Sequence, residues 1–212
     1  MIKIIEKINH RYYLAIAASL LGIYISVAVA KAGESTRKVG NVEFGAEKKQ
    51  KLKSFVYWDV VHEQRIRFAS EHGVTDPVAL AAAVKHSPMA SLLISVAIEE
   101  SLGDPVALGS DGEEGAWQVK PTYWGSVSKN IHRQANQAER IISDLLLNSK
   151  GNKKKALARY NGGTSPPVKS FRYAERILKR AKHLQIAEKR LQPDYTILSQ
   201  AIFDSPGNSW ML

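Results

Sequence analysis

Two adjacent carboxylates, Glu99 and Glu100, end an apolar stretch of the chain and are followed at once by helix-breaking residues. Upstream of them, the i, i+3, i+4 and i+7 spacing of one buried helical face is filled by Met89, Leu92, Leu93 and Val96. At about 100° per residue, Glu100 returns to within about 20° of this face, whereas Glu99 points about 100° away from it. A carboxyl at the edge of an apolar face loses hydration, so its pKa rises and it can act as a general acid near neutral pH. Glu100 is therefore the candidate acid, the alternative being a solvated or lysine-paired carboxylate.

Two downstream segments could complete a site around this carboxyl. Residues 112–122 are Gly-Glu-Glu-Gly-Ala-Trp-Gln-Val-Lys-Pro-Thr, and residues 156–163 are Ala-Leu-Ala-Arg-Tyr-Asn-Gly-Gly. Together with Glu-Ser at 100–101 and Asp-Pro at 104–105, these segments resemble, in order and spacing, the SLT-type lytic transglycosylases over residues 75–185. These goose-lysozyme-like enzymes cut the glycan strands of bacterial peptidoglycan.

The resemblance implies a role for each matched residue. Glu100 takes the catalytic position, and Ser101 matches a neighbouring serine that helps to orient the site. Gln118 matches a glutamine behind the carboxyl, where its amide contacts sugar or loop backbone. Trp117 replaces the methionine usual in the family, and it either stacks on a sugar face or fills the core.

Three further matches lie on the second and later segments. Tyr160 and Asn161 match a pair opposite the carboxyl that helps to bind saccharide, and Tyr173 matches a tyrosine that faces the active site. The alternatives are a core position for either tyrosine and a helix C-cap role for Asn161 before the two glycines.

The family mechanism uses one glutamate as acid and then as base, whereas common glycosidases need two carboxylates. The glutamate protonates the glycosidic oxygen and then deprotonates the C6 hydroxyl of the same muramyl residue, which attacks C1 and forms a 1,6-anhydro ring. No metal or cofactor is implied. Glu113 and Glu114 replace small residues of the family pattern, and they either supply a second carboxylate that favours hydrolysis or are simply solvated, which we favour.

The N-terminal segment points to export. Lys3, Lys7 and Arg11 precede 19 uncharged residues, 12–30, which end in Ala-Val-Ala. This pattern predicts a signal peptide or, because the length is close to bilayer-spanning, a retained membrane anchor over residues 1–30. Either outcome places the rest of the chain in the periplasm or on the outer face of the inner membrane. The chain has no cysteine, which excludes disulfides, thiol nucleophiles and cysteine-based metal sites.

The net charge of +10 is unevenly distributed. Residues 55–114 carry ten acidic and three basic side chains, whereas residues 150–190 carry thirteen basic and two acidic ones. A basic surface favours polyanions, and peptidoglycan or anionic lipid suits an exported chain better than nucleic acid, which we do not expect. A solvated basic helix face is an equal alternative.

The remaining pattern predicts a mainly α domain of the goose-type lysozyme-like class with a loop-lined cleft. We expect a linker over 31–51, the domain over 52–191 and a poorly ordered tail over 192–212. Helices are expected at 52–71, 77–85, 88–101, 134–147, 152–160 and 168–191, with a helical stretch from Pro121 and a loop or short hairpin at 102–120.

The expected function is a peptidoglycan lytic transglycosylase that cleaves the MurNAc–GlcNAc bond with Glu100 as its single acid/base. One alternative is a lysozyme-like hydrolase. The other is a non-catalytic, glycan-binding component of a cell-envelope-spanning secretion or conjugation machine, whose subunits would then be partners.

Overall fold

The computed structural model describes the backbone of residues 46–204 and the side chains of residues 58–191. The predicted export or anchor segment and most of the predicted linker lie outside the described residues. Within these limits the helices are α1 Ala46–Glu71, α2 Pro77–Ala83, α3 Ala90–Ser101, α4 Pro121–Trp124, α5 Ile131–Asn148, α6 Lys153–Gly162 and α7 Val168–Asp204.

The prediction of a mainly α structure is confirmed for the described residues. The 102–120 segment forms a loop, held by two isolated antiparallel bridges that join Glu114 to Leu108 and to Val119. None of the helices between residues 46 and 204 is both long and apolar enough to cross a membrane.

Short polar side chains set the starts of the helices. Asp76 accepts a hydrogen bond from the Ala79 amide at 2.9 Å, and Pro77 occupies the first helical turn of α2. Asn130 accepts hydrogen bonds from two amides at the start of α5, so this helix begins three residues earlier than the sequence pattern predicts. Asn152 caps α6 in the same way through the Lys155 amide.

Helix α3 is the centre of the core. Every residue from 90 to 98 is buried, including Ser91 and Ser95, so the helix is covered on all sides rather than on one face. It contacts α1, α2, α5 and α7, while α7 also packs against α1 and α6. Helix α3 is therefore held by several helices at once.

Helix α7 extends further than the sequence predicts. The sequence predicts an end at residue 191 and a poorly ordered tail after it, and proline, which lacks an amide donor, follows at 193. In the structure the helical backbone continues through Pro193 to Asp204, so most of the predicted tail is helical.

A buried ion pair ties α7 to the opposite side of the core. The guanidinium of Arg65 donates to Glu188 at 2.8 Å and to the Lys85 carbonyl at 3.0 Å. Ser91 donates to the second carboxylate oxygen of Glu188 at 3.2 Å. Side chains from α1, α3 and α7 thus meet around one carboxylate.

Candidate active site

The last turn of α3 delivers Glu100 to an open cleft with a volume of about 1060 Å³. The helix ends at Ser101, because Leu102 adopts the left-handed conformation (φ 54°) and Gly103 follows at φ 76°. The cleft is lined by the loop at 109–120, by α4, by residues 159–170 and by α5, whose lining face we call the floor.

Glu100 has the electrostatics of a general acid. Burial raises its pKa from 4.5 to about 7, and the neighbouring charges of Glu99 and Glu113 add to this rise. A hydrogen bond from Tyr173 opposes the rise because it favours the charged form. The carboxyl is thus poised near neutral pH, as the helical phase of the sequence predicts.

Tyr173, in the second turn of α7, donates its hydroxyl hydrogen bond directly to Glu100. Its side chain is 5% exposed, and it holds the carboxyl from the core side rather than lining the cleft. Burial first, and then the Glu100 charge, raise the pKa of Tyr173 well above its usual value, so it remains a donor.

Tyr160 lines the cleft beside Glu100 but bonds to a different group. Its hydroxyl donates to the Trp117 carbonyl at 2.6 Å. Burial, followed by the Glu100 charge, raises its pKa well above the usual value. Asn161 also lines the cleft, is exposed, and accepts a hydrogen bond from Ser170 at 2.9 Å.

The loop that carries Gln118 is fixed by amide and hydroxyl groups. Gln118 lines the cleft, has a left-handed backbone (φ 45°), and donates to the Gly115 carbonyl at 3.0 Å. Ser101 donates to the Ala116 carbonyl at 2.8 Å, so it positions this loop against α3 without lining the cleft. Both side chains therefore donate hydrogen bonds to backbone carbonyls of the loop.

Sequence reasoning missed the buried Gln134 of α5, which completes this support. Its amide accepts from the Ala116 amide at 2.8 Å and donates to the carbonyls of Pro105 and Ser128 at 2.8 and 2.7 Å. A side chain on Gly115 would collide with the same amide, which explains the glycine. A lone glutamine on a helix face gives no sequence signal for such a role.

Trp117 does not belong to the sugar-contacting surface. Its side chain is 0% exposed, and its indole nitrogen donates to the Leu93 carbonyl at 3.0 Å. Of the two interpretations left open by the sequence, the structure supports the core position. The assignment of Trp117 as a substrate-binding residue is therefore wrong for this conformation.

Two exposed aromatic residues that the sequence analysis did not select line the cleft instead. Tyr123 is 77% exposed and Trp124 is 42% exposed, both on the short helix α4. Gln137 of α5 donates to the Trp124 carbonyl at 3.2 Å and so fixes this helix. The proline-initiated Pro-Thr-Tyr-Trp run was the available signal.

The other carboxylates near Glu100 are held by basic groups. Glu99 lies outside the cleft, 15% exposed, and pairs with Arg176 at 2.7 Å and Arg180 at 3.1 Å. Glu113 lies in the cleft at 3.5 Å from Lys120. Burial raises the pKa of Glu113, but the Glu113 and Asp111 backbone amides and then Lys120 outweigh it, and the pKa is lowered overall. Glu114 does not line the cleft.

In the part of the chain with described side chains, no three histidine, aspartate or glutamate residues are grouped so that they could hold a metal ion. Comparison of the chain with protein-family models, with curated proteins and with solved structures finds no match. The resemblance to the SLT-type lytic transglycosylases stays a prediction carried by the motifs themselves.

Proposed function

We propose that this chain is a peptidoglycan lytic transglycosylase with a goose-type lysozyme-like fold and Glu100 as its single acid/base. The observation that carries the proposal is the environment of Glu100: a carboxyl with a pKa of about 7, held by a tyrosine hydroxyl and open to a long cleft. The matched residues Gln118, Tyr160 and Asn161 line the same cleft, which supports the assignment.

The proposed reaction needs one proton donor that becomes an acceptor. Protonated Glu100 gives its proton to the glycosidic oxygen as the bond from that oxygen to C1 of the muramyl residue breaks. The resulting carboxylate takes the proton of the C6 hydroxyl, whose oxygen forms the new bond to C1. Because the nucleophile belongs to the same sugar, no water is consumed and Glu100 ends protonated again.

A lysozyme-like hydrolase is the second candidate, and Glu113 is the observation that favours it. This carboxylate lines the same cleft and its lowered pKa keeps it ionised, as a base that activates water would require. Its ion pair with Lys120 and its backbone hydrogen bonds favour a role in holding the loop instead.

The proposed setting is the periplasm or the outer face of the inner membrane, with glycan strands as the partner and no cofactor. A glycan-binding component of an envelope-spanning machine would not need a carboxyl with a raised pKa. The Glu100 environment therefore favours the enzyme over the binder.

The test is product analysis by mass spectrometry after the full chain is incubated with purified peptidoglycan. We expect 1,6-anhydromuramyl products, one water lighter than hydrolysis products, and their loss in Glu100→Gln. Reducing-end muramyl products that disappear in Glu113→Gln but persist in the matched Glu114→Gln would establish the hydrolase. Binding without any product in the wild-type chain would support the non-catalytic component.

A further inference from the structure

Arg159 is an arginine of the candidate cleft with unused hydrogen-bonding capacity. It lies in the last turn of α6, one residue before Tyr160, and it lines the cleft. One terminal nitrogen donates to the Asn148 carbonyl at 3.2 Å, which satisfies a carbonyl at the C-terminal end of α5. The other terminal nitrogen makes no hydrogen bond to a described residue, whereas the Nε atom is buried without a partner and cannot be reached from the cleft.

The charge of Arg159 is also left without an ion-pair partner. Among the ion pairs between described residues, none includes Arg159. By contrast, Lys120, which also lines the cleft, pairs with Glu113. The guanidinium therefore contributes a positive charge to the cleft that the described part of the chain does not neutralise.

One face of α5 connects the part of the cleft near Trp124 with the part near Arg159. Gln137, Ile141 and Leu145 follow one another at intervals of four residues along α5, so they lie on one face. Gln137 holds the Trp124 backbone at one end, while Ile141 and Leu145 line the cleft between it and Arg159. At 1.5 Å per residue, this face extends about 16 Å to the end of the helix, enough for an extended ligand.

We propose that Arg159 binds a carboxylate carried by a muramyl residue of the substrate, while the sugar lies along the α5 floor. The carboxylate is that of the lactyl group or of the attached peptide. A guanidinium is suited to this because its fork of donors matches both oxygens of a carboxylate, which a lysine cannot reproduce. The identity of the polymer rests on the proposed function.

The experiment measures binding by calorimetry in the Glu100→Gln background, where cleavage is blocked. Three ligands are compared: a chitooligosaccharide without carboxylates, a muramyl glycan stripped of peptide, and a peptide-bearing muropeptide. We expect Arg159→Gln to weaken the carboxylate ligands about tenfold and to change the chitooligosaccharide affinity less than twofold. Weakening on the stripped glycan assigns the lactyl group, and weakening on the peptide-bearing ligand alone assigns the peptide.

Two further variants control for the general loss of a positive charge and for misfolding of Arg159→Gln. Arg133→Gln removes the same charge from an exposed position of α5 outside the cleft, and should leave all three affinities unchanged. Arg159→Lys keeps the charge and a donor for the Asn148 carbonyl but loses the fork, so it should weaken carboxylate ligands several-fold; it carries the test if Arg159→Gln does not fold.

Equal losses on all three ligands, or no loss on the muramyl ligands, would overturn the inference, and absence of muramyl binding would overturn both proposals. If the wild-type chain yields no anhydromuramyl products but carboxylate-dependent binding persists, only the proposed reaction fails. If those products form and Arg159→Gln binds all ligands normally, only the role of Arg159 fails.

Discussion

Replacing Tyr173 by phenylalanine should move the pH dependence of the reaction toward higher pH. Glu100 must be protonated to donate a proton to the glycosidic oxygen, so kcat/KM of the wild-type chain should fall as the pH rises through about 7. The Tyr173 hydroxyl lowers the pKa of Glu100 because it donates to the charged carboxylate, whereas burial raises it. Tyr173→Phe removes the hydrogen bond that lowers the Glu100 pKa and keeps the burial that raises it.

The size of the shift follows from the strength of a hydrogen bond to a charged group. Such a bond contributes about 1.5–3 kcal/mol, and 1.36 kcal/mol corresponds to one pKa unit, so its loss predicts a rise of about 1–2 units. The alkaline limb of the profile should therefore move from about 7 to about 8 or above.

The assay is the pH profile of kcat/KM for release of soluble anhydromuropeptides. A carbon-13 NMR titration of the glutamate carboxyls gives the same pKa without turnover. Tyr160→Phe is the matched control: its hydroxyl bonds to the Trp117 carbonyl rather than to Glu100, so its limb should stay within a few tenths of a unit of wild type. A limb that stays in place or moves to lower pH in Tyr173→Phe would refute the reasoning.

Three other predictions concern stability, measured by urea unfolding. Because folding raises the pKa of Glu100 from 4.5 to about 7, its favourable contribution is present below pH 4.5 and lost as the pH rises through 7. At pH 8 the free energy of unfolding of Glu100→Gln should therefore be higher than that of the wild-type chain by up to about 3 kcal/mol, and at low pH the two should be equal. The same difference at both pH values would contradict this prediction. Trp117→Ala should lower the free energy of unfolding by about 3–5 kcal/mol. An unchanged free energy of unfolding would contradict the core position of Trp117. Glu99→Gln should lower the free energy of unfolding by about 1–3 kcal/mol at pH 7, because Arg180 loses its charged partner. The control is Glu139→Gln in α5, whose carboxyl is in none of the ion pairs between described residues; an equal loss in both variants would argue against the pair.

Local periodicity was sufficient to predict the helix that carries Glu100. The spacing from Met89 to Val96 predicts the helix, and the 100° turn per residue separates Glu100 from Glu99 before any contact is known. Helix starts were predictable where a short polar side chain caps them, as Asp76 does. These features depend on neighbours within a few residues along the chain.

Contacts between distant segments were not predictable from that pattern. Trp117 sits in a loop rich in glycine, yet its indole is buried because it reaches a carbonyl of α3. The supporting amide of Gln134 and the free charge of Arg159 depend on how α5 and α6 pack, which no spacing in the sequence specifies. The resemblance placed Tyr173 at the site, but its bond to Glu100 joins residues far apart in the chain.

Helix α7 explains why two adjacent carboxyls have different surroundings. Tyr173, Arg176 and Arg180 are spaced at i, i+3 and i+7, so they project from one face of this helix. At the end of α3 this face presents a phenol to Glu100 and two guanidinium groups to Glu99. A phenol bonds to a carboxyl without supplying a positive charge, so burial prevails and the Glu100 pKa stays raised. The Glu99 carboxyl instead lies against two guanidinium groups. Exchanging Arg180 for a neutral residue would remove one of the two ion pairs that join Glu99 to α7, the helix that also carries the tyrosine bonded to Glu100. The neighbouring carboxyl, which takes no part in the proposed chemistry, thus helps to hold α7 against the end of α3.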